Sequence, residues 1–224
     1  MRIEAVTVCV DYSHYLAKVI SNKHKLDRWI IVTHESDTDT INLCLANEIE
    51  FVCSKKIFKN AKFAKGKAIN EGLRLLDKKD WILHLDADQL LPSNFREVAL
   101  RECKYRGKLY GAYRYTATGT KFPPTKIMAQ QKSGEKKIRL LYIPIGYFQL
   151  WHSSKFKTYV ADSDNTLGDD YRFILRWKTK RMNSTQFQKQ IVMLDDMKTV
   201  DVCGFEGTSR GHFNGVRNLG DNKK

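Results

Sequence analysis

The five cysteines of this chain (Cys9, Cys44, Cys53, Cys103 and Cys203) contain no Cys-x-x-Cys pair. An odd, widely spaced set of this kind supports neither a zinc ribbon nor a redox pair. Cys9, Cys44 and Cys53 lie in apolar company and read as core residues, which points to a reducing, cytoplasmic compartment. No apolar run approaches the length of a membrane span, and no charged-then-apolar leader precedes the strand-like run at 5–10, so a soluble protein is expected. Familiar nucleotide and hydrolase signatures are missing too. The nearest approach to a P-loop, Lys65-Gly66-Lys67, lacks the first glycine and the hydroxyl residue. No Gly-x-Gly-x-x-Gly follows the first strand and no Gly-x-Ser-x-Gly elbow occurs, so any nucleotide must be held in another way. There is no repeat, no low-complexity tract and no linker rich in Gly, Ser or Pro, which favours one continuous domain.

Acidic residues are also scarce relative to basic ones. Lys and Arg number 39 against 25 acids, a net charge of +14, and such a surplus suits a polyanionic partner, either nucleic acid or an anionic surface. With 42% hydrophobic and 11% aromatic residues, the chain can bury a core of ordinary size.

In the first hundred residues, apolar runs at 5–10, 29–33, 50–53 and 81–85 alternate with helix-like segments at 12–23, 39–47 and 63–77. In the third helix Ile69, Leu73 and Leu76 recur at helical spacing. Asn94 followed by Glu97 predicts a helix start with a reciprocal cap. A β-α-β-α-β-α-β order implies a mostly parallel sheet covered by helices, with ligands outside the carboxyl ends of the strands. Aromatic-rich strand candidates at 109–116, 139–144 and 146–151, separated by the polar stretch 117–137, suggest antiparallel or mixed additions to that sheet.

The chemistry-bearing residues fall at those strand ends. Trp81-Ile82-Leu83-His84-Leu85-Asp86-Ala87-Asp88 reads as a buried strand that delivers two carboxylates. Residues two apart on a strand point the same way, so both can reach one hard cation. The motif alone equally suits a strand end entering a solvated turn. In the helix before it, Lys67 is a candidate for neutralising a diphosphate and Asn70 for binding a sugar hydroxyl, although an amphipathic helix with solvated lysines explains that segment as well. Gly168-Asp169-Asp170-Tyr171 supplies a second acidic pair; at a helix start the dipole keeps carboxylates ionised, as a general base requires. His212, in Gly211-His212-Phe213-Asn214-Gly215, is a candidate Mn²⁺ ligand or plain surface, His152 is a weaker candidate, and His84 reads as a hydrogen-bonded core residue.

Asp11, the Lys67-x-x-Asn70-x-Gly72 helix, Leu85-Asp86-Ala87-Asp88, and Asp169-Asp170 followed by Arg176-Trp177 occur in an order that resembles the GT-A glycosyltransferases, specifically the family-2-like group, over about residues 5–180. The resemblance implies a single GT-A domain: a Rossmann-like α/β fold with a mixed central sheet flanked by helices. Residues 1–105 would form the nucleotide-sugar-binding half, and 106–224 the acceptor-binding half with a C-terminal tail. It also implies Mn²⁺ or Mg²⁺ as cofactor, a nucleoside diphosphate sugar (a UDP-sugar) as donor, and an inverting single displacement. Asp11 and Tyr12 would border the nucleoside, with Asp37 or Asp39. Asp86 would lie near the ribose or donor sugar, and Asp88, with His212, would hold the metal. Asp170 would be the base and Asp169 would touch or orient the acceptor; Gly168-Asp169 replaces the commoner Glu-Asp, which leaves open which aspartate is the base. The strand with Gln149 and His152, and Arg172, Arg176 and Trp177, would face the acceptor. The short chain and basic surface further resemble compact phage-type transferases, some of which glycosylate modified bases in DNA.

Charge gathers with aromatics at 121–137 and at Lys155-Phe156-Lys157-Thr158-Tyr159, and Arg172, Arg176 and Lys180 are spaced to form one basic stripe. Lysine and arginine neutralise phosphates and aromatic rings stack on exposed bases, so the acceptor expected is a hydroxymethylated base in DNA, in the cytoplasm of a host cell if the protein is viral. A cell-surface glycan or lipid-linked acceptor, and a non-enzymatic nucleic-acid-binding module, are the competing readings.

Overall fold

The computed structural model describes residues 1–59, 62–121, 127–129, 138–140, 144, 146–159 and 166–203. Its strands are β1 (Ile3–Val8), β2 (Arg28–Thr33), β3 (Glu50–Cys53), β4 (Phe58–Lys59), β5 (Lys62–Phe63), β6 (Trp81–Leu85), β7 (Gln89–Leu90), β8 (Leu109–Thr116), β9 (Ile127–Ala129), β10 (Ile138–Leu140), β11 (Phe148–His152) and β12 (Ile191–Asp201). The helices are α1 (Ser13–Lys18), α2 (Thr38–Ala46), α3 (Lys65–Leu75), α4 (Phe95–Glu102), α5 (Thr166–Leu175) and α6 (Ser184–Gln188). Eight strands form one sheet in the order β3-β2-β1-β6-β11-β8-β12-β7, while β4 with β5, and β9 with β10, form small separate ladders.

Strands β3, β2, β1 and β6 run parallel. All residues of β1 and β6 are buried, as expected where helices cover both faces of a parallel sheet. Strand β11 then pairs antiparallel with both β6 and β8. Strand β8 therefore points the same way as β6, and β12 lies parallel to β8. The result is a mixed sheet whose β1, β2, β3, β6, β8 and β12 all end on one edge.

Two apolar clusters fill the space on the faces. One joins Leu16, Trp29, Leu83, Phe95 and Phe148; the other joins Val6, Ile69, Leu73, Trp151, Phe173 and Trp177. Helix α3 lies flat on β1 and β2 because Gly72 has no side chain. A Cβ there would lie 2.5 Å from a methyl of Val6 and 2.8 Å from one of Val32. Gly72→Ala is accordingly expected to lower stability by about 1–3 kcal/mol through overpacking, read as a lower melting temperature in calorimetry. An unchanged melting temperature would mean that the helix can lift off its strands without loss.

The structure differs from the sequence expectations at four places. The helix expected at 12–23 divides into α1 and a 3-10 turn, Ile20–Lys25, in which the buried side chain of Asn22 donates to the Gln89 carbonyl at 2.8 Å and accepts from Leu91 N at 2.9 Å. Helix α4 does start after Asn94, but that residue has φ −87° and ψ 17°, outside the extended geometry a capping side chain needs, and it makes no side-chain cap. Helix α5 ends at Leu175, and Arg176, Trp177 and Lys178 continue in tighter turns onto the carbonyls of Phe173, Ile174 and Leu175, so Lys180 does not extend a helical stripe. Strand β12 was not expected at all. Exposed Asp195 and Asp196 interrupt its alternation, where its register on β8 shifts between Leu194 and Lys198.

Candidate active site

The shared strand edge gathers the acidic residues. Asp86 and Asp88 follow β6, and the Asp86 amide donates to the Tyr147 carbonyl at 3.0 Å, which ties the turn to the start of β11. Strand β12 brings Asp201 beside Gln89 in the antiparallel β7 pairing, and Val202 N donates to the Asp88 carbonyl at 2.9 Å. Donor atoms of Asp88, Asp201 and Cys203 consequently lie within 4.8 Å of one another. Asp201 is nearly inaccessible and forms an ion pair with Arg114 at 3.3 Å. The Cys203 thiol shares its proton between Asp201 Oδ1 at 2.9 Å and Asp88 Oδ2 at 3.3 Å, and Gln89 Nε2 donates to Asp88 Oδ1 at 3.0 Å.

The electrostatics of this cluster suit a cation. Burial, and then the neighbouring charges of Asp86 and Asp201, push the Asp88 carboxyl up to about 6. Burial and the two carboxylates also raise the Cys203 thiol well above its ordinary range. Burial, and then the charges of Cys203 and Asp88, raise the Tyr12 phenol as well. Buried Asp201 and half-buried Asp88 offer the oxygen donors that Mg²⁺ or Mn²⁺ takes, so the residues fit such an ion; the thiol is a softer donor that suits neither so well. Asp201→Asn should weaken Mn²⁺ binding at least about tenfold, within the range seen when a metal's supporting shell is altered. Free Mn²⁺ measured by electron paramagnetic resonance would report it, and wild-type affinity in the variant would remove Asp201 from the site.

Lys65 links this cluster to α5. Its Nζ donates to Asp86 Oδ1 at 2.6 Å. Burial alone would depress the ammonium, but the carboxylates of Asp86, Asp170 and Asp88 outweigh it and hold the group above the ordinary lysine value. Asp170 is buried and packed on the backbone of Gly146, where a Cβ would lie 2.0 Å from its Oδ2. Gly146 also has φ +56°, a conformation that glycine adopts without strain. Because β11 is antiparallel to β6, its beginning lies on the same edge as the end of β6, and Asp170 is thereby set beside the Asp86 turn.

Other residues singled out in the sequence have diverse surroundings. Asp11, exposed and at φ +50°, donates its amide to Asp37 Oδ2 at 2.8 Å. Buried Asp37 also accepts from Thr33 Oγ1 and Thr40 N, and so braces the ends of β1 and β2, while Asp39 is exposed in the first turn of α2. Lys67 is half-buried on α3. Asn70 uses its amide to clamp the backbone of Tyr159, donating to the carbonyl at 2.9 Å and accepting from the amide at 2.7 Å. Gln149 is buried, donating to the Pro144 backbone carbonyl and accepting from the Tyr159 hydroxyl. His152 lies at the other end of β11, opposite Trp81, where it meets Asp80 at 3.2 Å; the antiparallel pairing carries it to the far edge of the sheet. Trp177 packs in the core against Trp151 and Phe173. Arg172 and Arg176 are exposed, and Arg176 donates to the Thr158 carbonyl at 2.7 Å. The side chain of Asp169, all of His212 and most of the basic segment 121–137 lie outside the described residues.

Sequence reasoning missed Lys65, Asp201 and Cys203. Lys65 sits two residues before the lysine chosen, and only the orientation of the helix start separates them. Asp201 and Cys203 follow a strand whose alternation is broken by two acids.

No protein-family model matches the chain, and no curated protein matches it. Solved structures do match the fold. Glucosyl-3-phosphoglycerate synthase from Mycobacterium tuberculosis, in complex with Mn²⁺, UDP and glucosyl-3-phosphoglycerate, matches with a TM-score of 0.54 at 12% identity over 87% of this chain and 69% of that one. The same enzyme with Mn²⁺ and UDP-glucose gives a TM-score of 0.54 at 12% identity over 88% and 70%. This chain therefore has a GT-A-like α/β fold with a mixed central sheet, as the sequence resemblance implied. Likeness at this identity carries the fold alone.

Proposed function

We propose that this chain is a metal-dependent glycosyltransferase that takes a sugar from a nucleoside diphosphate sugar, UDP being the expected nucleotide, and delivers it to a hydroxyl acceptor. The observation that carries the reading is the meeting of Asp86, Asp88 and Asp201 with Lys65 and Asp170 on one strand edge. The Mn²⁺ and UDP-glucose bound by the similarly folded mycobacterial enzyme support it. Asp88 and Asp201 would hold Mn²⁺ or Mg²⁺, and the bound ion would supply charge stabilisation for a diphosphate leaving group. Asp11, Tyr12 and Asp39 border the nucleoside, with Lys67 on the helix beside it, and Asp86 lies near the donor sugar. Asp170 accepts the proton of the acceptor hydroxyl as that oxygen attacks the anomeric carbon and the bond to the diphosphate breaks, inverting the centre. Asp169 orients the acceptor. Residues 1–105 serve the donor and residues 106–224 the acceptor, Asp201 being the exception that returns to the metal.

For the acceptor we favour a hydroxymethylated base in DNA. Arg172 lies on the same helix as Asp170, and Arg172, Arg176, Lys155 and Phe156 are all exposed. The net charge of +14 agrees with a polyanion. Labelled nucleotide sugars offered with Mn²⁺ to plain and hydroxymethylated DNA test the whole reading. Label should pass only to hydroxymethylated DNA, and passage to a glycan or lipid acceptor instead would keep the transferase and remove DNA. Charge reversal of both Arg172 and Arg176 to Glu should weaken DNA binding and lower the salt slope by about two, one for each lost phosphate contact. An unchanged slope would move the DNA to another face.

A further inference from the structure

His84 sits in the middle of β6, fully buried and opposite Gln149 of β11. A chain of hydrogen bonds fixes where its proton lies. Gln149 Nε2 donates to the Pro144 carbonyl at 2.9 Å, and since a carbonyl only accepts, the amide orientation is set. Its oxygen therefore faces Tyr159, whose hydroxyl donates to it. With that proton committed, the Tyr159 oxygen can only accept from His84 Nδ1, 2.7 Å away. Burial, and then the nearby Lys65 ammonium, hold the imidazolium down to a pKa of about 3, so the ring is neutral and carries a single proton.

Nε2 is consequently a bare acceptor. It is buried and has no hydrogen-bond partner among the described residues. Moreover it faces another acceptor, Asp86 Oδ1, at 3.6 Å. Two acceptors at such range repel unless a donor serves both. Lys65 Nζ already donates to that same carboxylate oxygen at 2.6 Å and has two further protons.

We propose that His84 is a positioning residue: the Gln149–Tyr159 relay locks its Nδ1–H tautomer, so that Nε2 turns a lone pair and not a proton toward Asp86, and the Lys65 ammonium keeps its place on that carboxylate without a competing donor from the ring. Neither neighbour of the ammonium then competes with it for a proton, because the ring donates away from the site and the carboxylates only accept. What the fixed ammonium contributes to sugar transfer rests on the proposed function, but the tautomer and the placement of Lys65 do not.

Nitrogen-15 spectra of the full-length protein test both parts without any activity. Long-range proton–nitrogen correlations should show His84 with a protonated Nδ1 and an unprotonated Nε2, unchanged between about pH 5 and pH 8. A protonated Nε2, or titration to imidazolium in that window, would overturn the proposal. Tyr159→Phe removes the acceptor for Nδ1–H and should shift the ring toward the Nε2–H form; a wild-type spectrum in this variant would show that the relay does not set the tautomer. The Lys65 ammonium should give a slowly exchanging signal that is retained in His84→Leu, which offers Asp86 no proton, and weakened in Tyr159→Phe, whose ring does. Equal behaviour of the two variants would overturn the placement of Lys65. Expected spectra together with no transfer from any nucleotide sugar would remove the proposed function and leave this inference intact.

Discussion

Asp88→Asn is expected to abolish sugar transfer and, at neutral pH, to raise the melting temperature of the metal-free protein. Both effects have one origin. The Asp88 carboxyl sits at about 6 in the folded chain against an ordinary 3.8, because burial and the charges of Asp86 and Asp201 disfavour its ionised form. The folded state thus binds that proton more tightly than the unfolded state does, and metal-free stability falls as pH rises from about 4 through about 6 and stays low above it. The shift is equivalent to about 3 kcal/mol, trimmed toward about 2 kcal/mol by the partial exposure of the group. An amide avoids this penalty, so the variant should melt about 4–8 °C higher at neutral pH and lose the advantage at low pH, where wild-type Asp88 is protonated. Mn²⁺ should restore the wild type by binding the folded state and should do little for the variant. Losing the metal should remove several kcal/mol of transition-state stabilisation, on the order of a thousandfold in rate. Normal transfer by the variant would end the metal role. A lower melting temperature would instead make Asp88 a structural acceptor for Gln89 and Cys203.

Asp170→Asn should reduce transfer by about 10²–10⁴-fold, the contribution of a positioned general base, with donor binding retained. Gly146→Ala reaches the same group without touching its chemistry. The new Cβ would meet Asp170 Oδ2 at 2.0 Å, and the backbone at φ +56° adds strain of about 1–2 kcal/mol. Displacing a catalytic group by about an ångström can lose on the order of a hundredfold in rate. Steady-state kinetics with the donor and acceptor varied separately would distinguish the outcomes. Full activity in Asp170→Asn with loss in Gly146→Ala would transfer the base role to Asp169 or another group near Gly146, and full activity in both would place the chemistry elsewhere.

Much of this site can be traced in the sequence because the part that carries Asp86 and Asp88 is local. Strands at 50–53 and 81–85, and the helices between the early strands, follow directly from apolar periodicity, and a parallel sheet obliges Asp86 and Asp88 to emerge on the ligand-binding edge. Candidates drawn from polar residues near those motifs were less informative. Asn70 and Gln149 have the right chemistry for a ligand, yet their amides are engaged by Tyr159. Side-chain polarity does not reveal whether its partner is a substrate or the chain's own backbone.

The sequence by itself determined an alternating β-α order and the pair of aspartates at the end of β6, because hydrophobic period and strand-end position are properties of neighbouring residues. Only the tertiary structure decided what meets that pair. Whether β11 runs parallel or antiparallel to β6 depends on long-range pairing, and the antiparallel choice brings Gly146 and Asp170 to the aspartates while sending His152 to the opposite edge. The bulged pairing of β12 with β8 and β7 delivers Asp201 and Cys203 to Asp88 from the far end of the described chain. These are contacts between distant residues, fixed by register and strand direction, which no local pattern encodes.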